Sequence, residues 1–142
     1  MSKITRDIAA LFRCGAAFRT EQLAPFGLKA FHTSYLLRIG ANPGISQDKL
    51  AQSLFVNKSN VARQVAVLEE DGFVIRKPSD TDKRVMELYL TEKAEAIMPQ
   101  IRQILLEWET LLTEDLEPDE IEAISPILAK MKEKAAAWME AH

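Results

Sequence analysis

The feature that most restricts the fold of this chain is a change of period at Gly72, directly behind two short helices that each begin with a cap. Ser46 precedes Gln47-Asp48-Lys49-Leu50, and Asn57 precedes Lys58-Ser59-Asn60-Val61. Both are favoured N-cap residues, because their side-chain oxygen accepts a bond from an otherwise unpaired first-turn N–H. Asp48 also suits the positive end of the helix dipole. The first helix is expected to run through Leu54. The second carries Val61, Val65 and Leu68 at helical spacing until Asp71-Gly72 ends it. Two capped helices so tightly connected predict a helix-turn-helix. After Gly72 the apolar period falls from 3.6 to 2. Phe73-Val74-Ile75-Arg76-Lys77 is rich in β-formers, and Met86, Leu88 and Leu90 alternate with Val85, Glu87 and Tyr89. Pro78-Ser79-Asp80-Thr81-Asp82-Lys83 between them is a turn-rich tip, so a polar-tipped β-hairpin is predicted.

Helices flank this region. Ile4, Ile8, Leu11, Gly15 and Phe18 recur at steps of four and three until Pro25 and Gly27. Leu28, Phe31, His32, Tyr35, Leu36 and Ile39 form a second stripe, which Gly40 and Asn42-Pro43-Gly44 are expected to stop. Thr91 caps a long helix carrying Ala94, Ile97, Ile101, Ile104, Leu105, Trp108, Leu111 and Leu112, with Pro99 expected to bend it. Pro118 suits the first position of a final helix with Ile121, Ile124, Leu128, Met131, Ala135 and Trp138. Pro126 is expected to kink or interrupt that helix. The fold class is therefore mainly α with a small β-hairpin. Residues 1–142 read as one domain, with a winged helix-turn-helix lobe at 28–91 between helices at 1–24 and 92–142. The outer helices carry more apolar surface than one small lobe can bury, so a homodimer is expected.

Composition excludes other classes. The 142 residues contain one cysteine, Cys14, and two histidines, His32 and His142. No internal disulfide and no zinc-ligand spacing can be built from these, and neither a metal nor another cofactor is expected. There is no glycine-rich phosphate loop and no plausible nucleophile–base pair, so an enzyme is not expected. No apolar run approaches the length of a membrane span, and the first residues lack the pattern of a signal peptide, so a cytoplasmic protein is expected. The net charge of −3 argues at first against a nucleic-acid partner. Its distribution tells more. Residues 1–43 carry six basic and two acidic side chains, residues 44–93 eight of each, and residues 94–142 four basic and eleven acidic. The acid is concentrated at the C-terminal end.

With Val61 at the centre of the buried face and 100° per residue, Ser59 and Arg63 point outward, flanked by Asn60, Ala62 and Ala66. This is a face suited to the major groove. Arg63 can pair with guanine, Asn60 with adenine, and the alanine methyls can touch thymine. Lys58 and Ser59 lie near the helix start, where phosphate contacts are favoured. Ser46, Gln64 and Arg76 complete the candidate DNA surface of this region. At the hairpin tip, Asp82, Lys83 and Arg84 put cations on a thin projection that fits a minor groove, with Asp82 able to orient Arg84. Each of these positions could also be an ordinary solvated side chain.

Gly44-Ile45-Ser46-Gln47-Asp48-Lys49-Leu50-Ala51, Val56-Asn57-Lys58-Ser59-Asn60-Val61-Ala62-Arg63, Leu68-Glu69-Glu70-Asp71-Gly72-Phe73-Val74, Asp80-Thr81-Asp82-Lys83-Arg84 and Leu90-Thr91-Glu92-Lys93 follow one another in this order. This succession resembles the multiple antibiotic resistance regulator (MarR) family over most of the chain. Ala94 stands where the family often has glycine, and Pro126 is a further departure. The resemblance implies a transcriptional regulator that binds double-stranded DNA as a homodimer, with Arg84 in the minor groove and the helix from Asn57 in the major groove. It implies interlocked first and last helices, and a repressor released by a small phenolic or apolar effector or by oxidation of a cysteine. Phe12, Phe18, Phe31, His32 and Tyr35 are the candidate effector contacts. Their alternative reading is core packing, with His32 a hydrogen-bonded interior histidine. Cys14 is the candidate redox residue, and its alternative reading is a buried, inert thiol. A winged-helix protein-interaction module without DNA binding remains the competing class.

Overall fold

The computed structural model describes residues 2–142. The chain divides into two compact units, one ending at Leu106 and a second, Glu107–His142. The elements in order are α1 (Lys3–Leu23), a short 3-10 helix (Ala24–Phe26), α2 (His32–Ala41), β1 (Ile45–Ser46), α3 (Gln47–Leu54), α4 (Lys58–Glu70), β2 (Val74–Pro78), β3 (Met86–Leu90), α5 (Glu92–Thr113) and α6 (Pro118–Glu140). Among the described residues no helix is long and apolar enough to cross a membrane, and no group of three or more His, Cys, Asp or Glu could hold a metal ion.

The two caps form as their residue types dictate. Ser46 Oγ accepts from the Lys49 N–H at 3.1 Å, and Asn57 Oδ1 accepts from the Asn60 N–H at 2.7 Å. The face of α4 bearing Val61, Val65 and Leu68 is fully buried. It joins Leu36, Ile39, Leu50, Leu88, Ala94 and Ile101 in one core. α4 thus has a buried face that anchors it and an opposite face left open.

The wing is a three-stranded antiparallel sheet in the order β1-β3-β2 rather than a simple hairpin. The extra strand pairs Ile45 with Leu88 and Ser46 with Glu87, and the Gly44 N–H donates to the Leu88 carbonyl at 2.8 Å. Two residues carry no readable period, so this strand leaves no trace in the apolar pattern. β2 and β3 pair from Val74 with Leu90 to Pro78 with Met86.

Three expectations are corrected. The stripe beginning at Leu28 is helical only from His32. Leu28 is still buried, but from a turn, its N–H bonded back to the Leu23 carbonyl. Gly40 does not stop α2, which continues to Ala41. Its missing side chain instead permits close packing, because a Cβ there would lie 2.9 Å from Leu90 Cδ1. Pro126 does not interrupt α6, which runs through it, as α5 runs through Pro99. Proline removes one donor from the ladder, and at exposed Pro126 water can solvate the carbonyl left without it.

The end of α4 and the start of α5 are tied at one point. Gly72 adopts φ 83°, a conformation that costs glycine little. Thr91 Oγ1 donates to the Gly72 carbonyl at 2.7 Å and accepts from the Ala94 N–H at 3.1 Å. The Thr91 N–H donates to the Phe73 carbonyl at 3.1 Å. Lys93 Nζ donates to the Asp71 carbonyl at 2.7 Å and lies 4.3 Å from the centre of the Phe73 ring. Within the second unit, Glu120 Oε1 accepts from the Glu117 N–H at the start of α6. No described residue of α6 is buried, and Trp138 is 61% exposed.

Thr91→Val keeps the shape at the tie but removes a cap and a bond to a backbone carbonyl. We expect it to lower unfolding free energy by about 1–2 kcal/mol, measured by urea denaturation. An unchanged midpoint would show that water replaces both bonds.

Candidate nucleic-acid interface

The open face of α4 begins at its cap. Asn57 Oδ1, besides accepting from the Asn60 N–H, accepts from Ser59 Oγ at 3.0 Å. This fixes the first turn and leaves Lys58, Ser59 and Arg63 exposed. Lys58 Nζ lies 3.3 Å from Asp48 Oδ2, with both side chains largely exposed; such a surface pair adds little stability and yields readily to a stronger anion. Arg63 Nη2 donates to Asn60 Oδ1 at 3.2 Å, so the two side chains named for base reading are joined to each other.

The wing tip presents the second group. Arg84 is 91% exposed at its side chain, yet held in one orientation. Its Nε donates to Asp82 Oδ1 at 3.1 Å and its Nη2 to Oδ2 at 3.2 Å. The Arg84 N–H also donates to Asp82 Oδ1. Such a two-pronged pair fixes the plane of the guanidinium. By its side-chain bonds first and its backbone bond second, Arg84 holds the Asp82 carboxyl below the ordinary carboxylate value. The loop behind it is pinned by the Ser79 N–H on the Val85 carbonyl, the Val85 N–H on the Asp82 carbonyl and the Thr81 N–H on Ser79 Oγ. Lys83 is exposed and 4.0 Å from Asp80.

The remaining residues of the sequence-based set lie elsewhere. Ser46 stands where β1 meets α3 and spends its oxygen on the cap. Arg76 is a brace, donating to Gln47 Oε1 at 3.2 Å and Glu69 Oε1 at 3.3 Å. Gln64 turns back into the lobe, its Oε1 3.3 Å from His32 Nε2. His32 is 2% exposed, and its Nδ1 accepts from the Lys29 N–H at 3.1 Å. A backbone N–H can only donate, so in the neutral ring Nε2 carries the proton and donates to Gln64. Burial, set against the Gln64 bond, pushes the His32 pKa below its ordinary value.

Beside α4 lies an open cavity of about 820 Å³, lined by the aromatic residues Phe12, Phe31 and Tyr35 and by polar residues that include Arg19, Ser34, Asn60 and Gln64. Of the candidate effector contacts, Phe12, Phe31 and Tyr35 line it, whereas His32 and Phe18 do not. Phe12 is 70% exposed, so it is not core packing within the chain. Phe31 packs tilted against His32 and edge-on to Tyr35. Arg19 escaped the sequence reading, because one arginine on an amphipathic helix looks like any surface arginine. Burial pushes its pKa down. Cys14 is exposed, which corrects the expectation of a buried thiol for the single chain; the buried residues of α1 are Gly15 and Leu23.

A sequence profile described as "MarR family" matches residues 26–85. The chain is 32% identical over 103 residues to the uncharacterized HTH-type transcriptional regulator YybA of Bacillus subtilis (strain 168), covering 72% of this chain and 69% of that protein. Among solved structures, the transcriptional regulator SlyA superposes with a TM-score of 0.93 at 27% identity, over 98% of both chains. A MarR family regulator from Listeria monocytogenes, crystallised with a 26mer DNA, superposes with a TM-score of 0.91 at 27% identity, over 98% of this chain and 93% of that one.

The depressed pKa of His32 fixes the sign of a pH effect. The unfolded chain, at the ordinary 6.5, takes up a proton more readily than the fold. Stability is therefore fully present above about pH 6.5 and falls as pH drops below it towards the lower folded value. Urea midpoints at pH 7.5 and 5.5 should differ for the native protein and differ less for His32→Gln. An equal difference in both would assign the acid sensitivity to other groups.

Proposed function

The chain belongs to the MarR family of DNA-binding transcriptional regulators, and from that premise we propose that it is a repressor that binds a pseudo-palindromic operator as a homodimer and leaves it when a small aromatic or apolar molecule enters the cavity beside α4. The observation that carries the DNA half is the Arg84–Asp82 fork: an exposed guanidinium held rigid by two bonds on a narrow, pinned loop. In water such an arginine would sample many rotamers. Holding it in one lowers the ordering cost of binding, and a narrow minor groove supplies the negative potential that attracts it. Lys58 and Ser59 at the start of α4 are assigned to phosphates, and Asn60 and Arg63 to base edges in the major groove. The DNA-bound Listeria relative supports this assignment.

Residues 28–91 are read as the DNA-binding lobe, and the helices at 1–24 and 92–142 as the dimer contact. The support is unspent apolar surface. Ile4, Ile8 and Leu11 on α1 are exposed, as are Leu111 and Leu112 on α5 and Ile121, Ile127, Leu128 and Trp138 on α6. Exposed apolar stripes on a helix call for a partner to cover them, and a second copy presents the same stripes in return. A regulator of this kind acts where the chromosome is, in the cytoplasm.

The cavity supports the effector half. Its apolar, aromatic lining with a few polar groups is the usual make-up of a small-molecule site, and it shares Asn60 and Gln64 with the helix assigned to the major groove.

Selection of bound sequences from a random duplex pool, followed by titration of the selected duplex, tests the reading. Arg84→Ala removes one cation from each half of the dimer and should weaken binding and lower the salt slope by about 2. Arg63→Ala should relax base preference at one position in each half-site, at a cost of about 1–3 kcal/mol. Leu128→Glu should shift sedimentation from dimer to monomer and weaken operator binding in parallel. Absence of any enriched sequence in the pool would favour the protein-interaction alternative.

A further inference from the structure

The α4 wall of the cavity has a hydrogen-bonding polarity that the chain itself fixes. The Lys29 N–H makes His32 Nδ1 an acceptor, which leaves Nε2–H as a donor and requires that Gln64 present its oxygen to it. The NH2 of Gln64 is then its remaining group. One turn earlier the same logic holds for Asn60. A guanidinium only donates, so the bond from Arg63 Nη2 fixes Asn60 Oδ1 on the Arg63 side and leaves the NH2 of Asn60. Among the described residues neither NH2 has an acceptor, and both residues line the cavity. Two carboxamides, four residues apart on one helical face, are thus oriented as donors.

We propose that Asn60 Nδ2 and Gln64 Nε2 form a donor pair that selects aromatic effectors bearing acceptor oxygens, such as a ring-attached carbonyl, and that Asn60 reports their presence to Arg63. The proposal rests on the reading of the cavity as an effector site and of α4 as the major-groove helix. An acceptor that engages the Asn60 carboxamide changes its tilt, and the Arg63 guanidinium bonded to the same group shifts with it. An apolar molecule of the same shape would fill the aromatic part of the cavity but leave both NH2 groups unpaired, a penalty that a polar site imposes on ligands lacking the matching group. Selectivity and signalling would then share two side chains.

The test uses acetophenone and α-methylstyrene, which have nearly the same shape and differ in a carbonyl oxygen against a methylene group. Both are titrated into the native dimer labelled with nitrogen-15, and the side-chain NH2 resonances of Asn60 and Gln64 are followed. Acetophenone should bind about tenfold more tightly and move both NH2 resonances, while α-methylstyrene should move aromatic signals alone. Gln64→Glu keeps an acceptor for His32 but has no NH2, and should reduce the preference to about twofold or less. Arg63 side-chain signals should move with acetophenone in the native protein and not in Asn60→Ala. Equal binding of the two probes, with both seated in the cavity, would overturn the donor pair and leave the effector cavity standing. No binding of either in the cavity would overturn both. Preferential binding of acetophenone with unmoved NH2 resonances would overturn the assignment to Asn60 and Gln64.

Discussion

The structure depends most on the tie between Asp71-Gly72-Phe73 and Thr91-Lys93. Three backbone carbonyls at the end of α4 and just beyond it lack helical partners, and each receives a donor from one short stretch of chain: Gly72 from Thr91 Oγ1, Phe73 from the Thr91 N–H, Asp71 from Lys93 Nζ. The ammonium group also meets the negative end of the α4 dipole. Thr91 spends the same oxygen on the first turn of α5. The β2–β3 hairpin leaves and returns through this point, so α4 and the base of the wing are set by one cluster of bonds. Two projections on a short lobe can address two grooves only if their spacing is held, and a lobe whose bases are matched by as many acids has little tolerance for a loose wing.

Charge explains why that rigidity matters. Residues 44–93 carry as many acids as bases, so the lobe has no broad positive field to draw in a polyanion. Asp82 adds a negative charge close to where a phosphate backbone would pass. It is not a simple liability, because its carboxylate is neutralised locally by Arg84 and fixes the plane of that guanidinium. The acids Glu69, Glu70 and Asp71 lie at the far end of α4 from Lys58 and Ser59, and Glu69 is partly neutralised by Arg76. What reaches outward from the start of α4 is cationic or neutral.

Long periodic segments and caps were legible in the sequence, because each is written in several residues that agree. Ser46, Asn57 and Thr91 announced three helix starts, and the change of period at Gly72 announced the wing. Features carried by one or two residues were not legible. β1 is two residues long and exists because β3 is there to pair with it. Leu28 obeyed the apolar spacing but joined the core from a turn, since spacing reports burial and not backbone conformation. Arg76 looked like a free cation, but Gln47 and Glu69 are brought to it only by the fold. Gln64 looked like part of the outer face of α4, yet a buried histidine 32 residues earlier claims its oxygen.

That last pair shows how little room separates recognition from regulation on a single helix. α4 turns 100° per residue, so with Val61, Val65 and Leu68 committed to the core only a limited arc remains. Arg63 occupies its outermost part. Asn60 and Gln64, one turn apart on the flank, border the cavity, and Asn60 also holds Arg63. On the proposed reading, the base-reading arginine and part of the cavity wall are joined through one residue of this helix, Asn60. That side chain would serve both, and its carboxamide has one oxygen and one NH2 to divide between the two sides. Coupling between DNA and cavity then needs no long-range pathway through the lobe; the i, i+3 contact of Asn60 with Arg63 suffices.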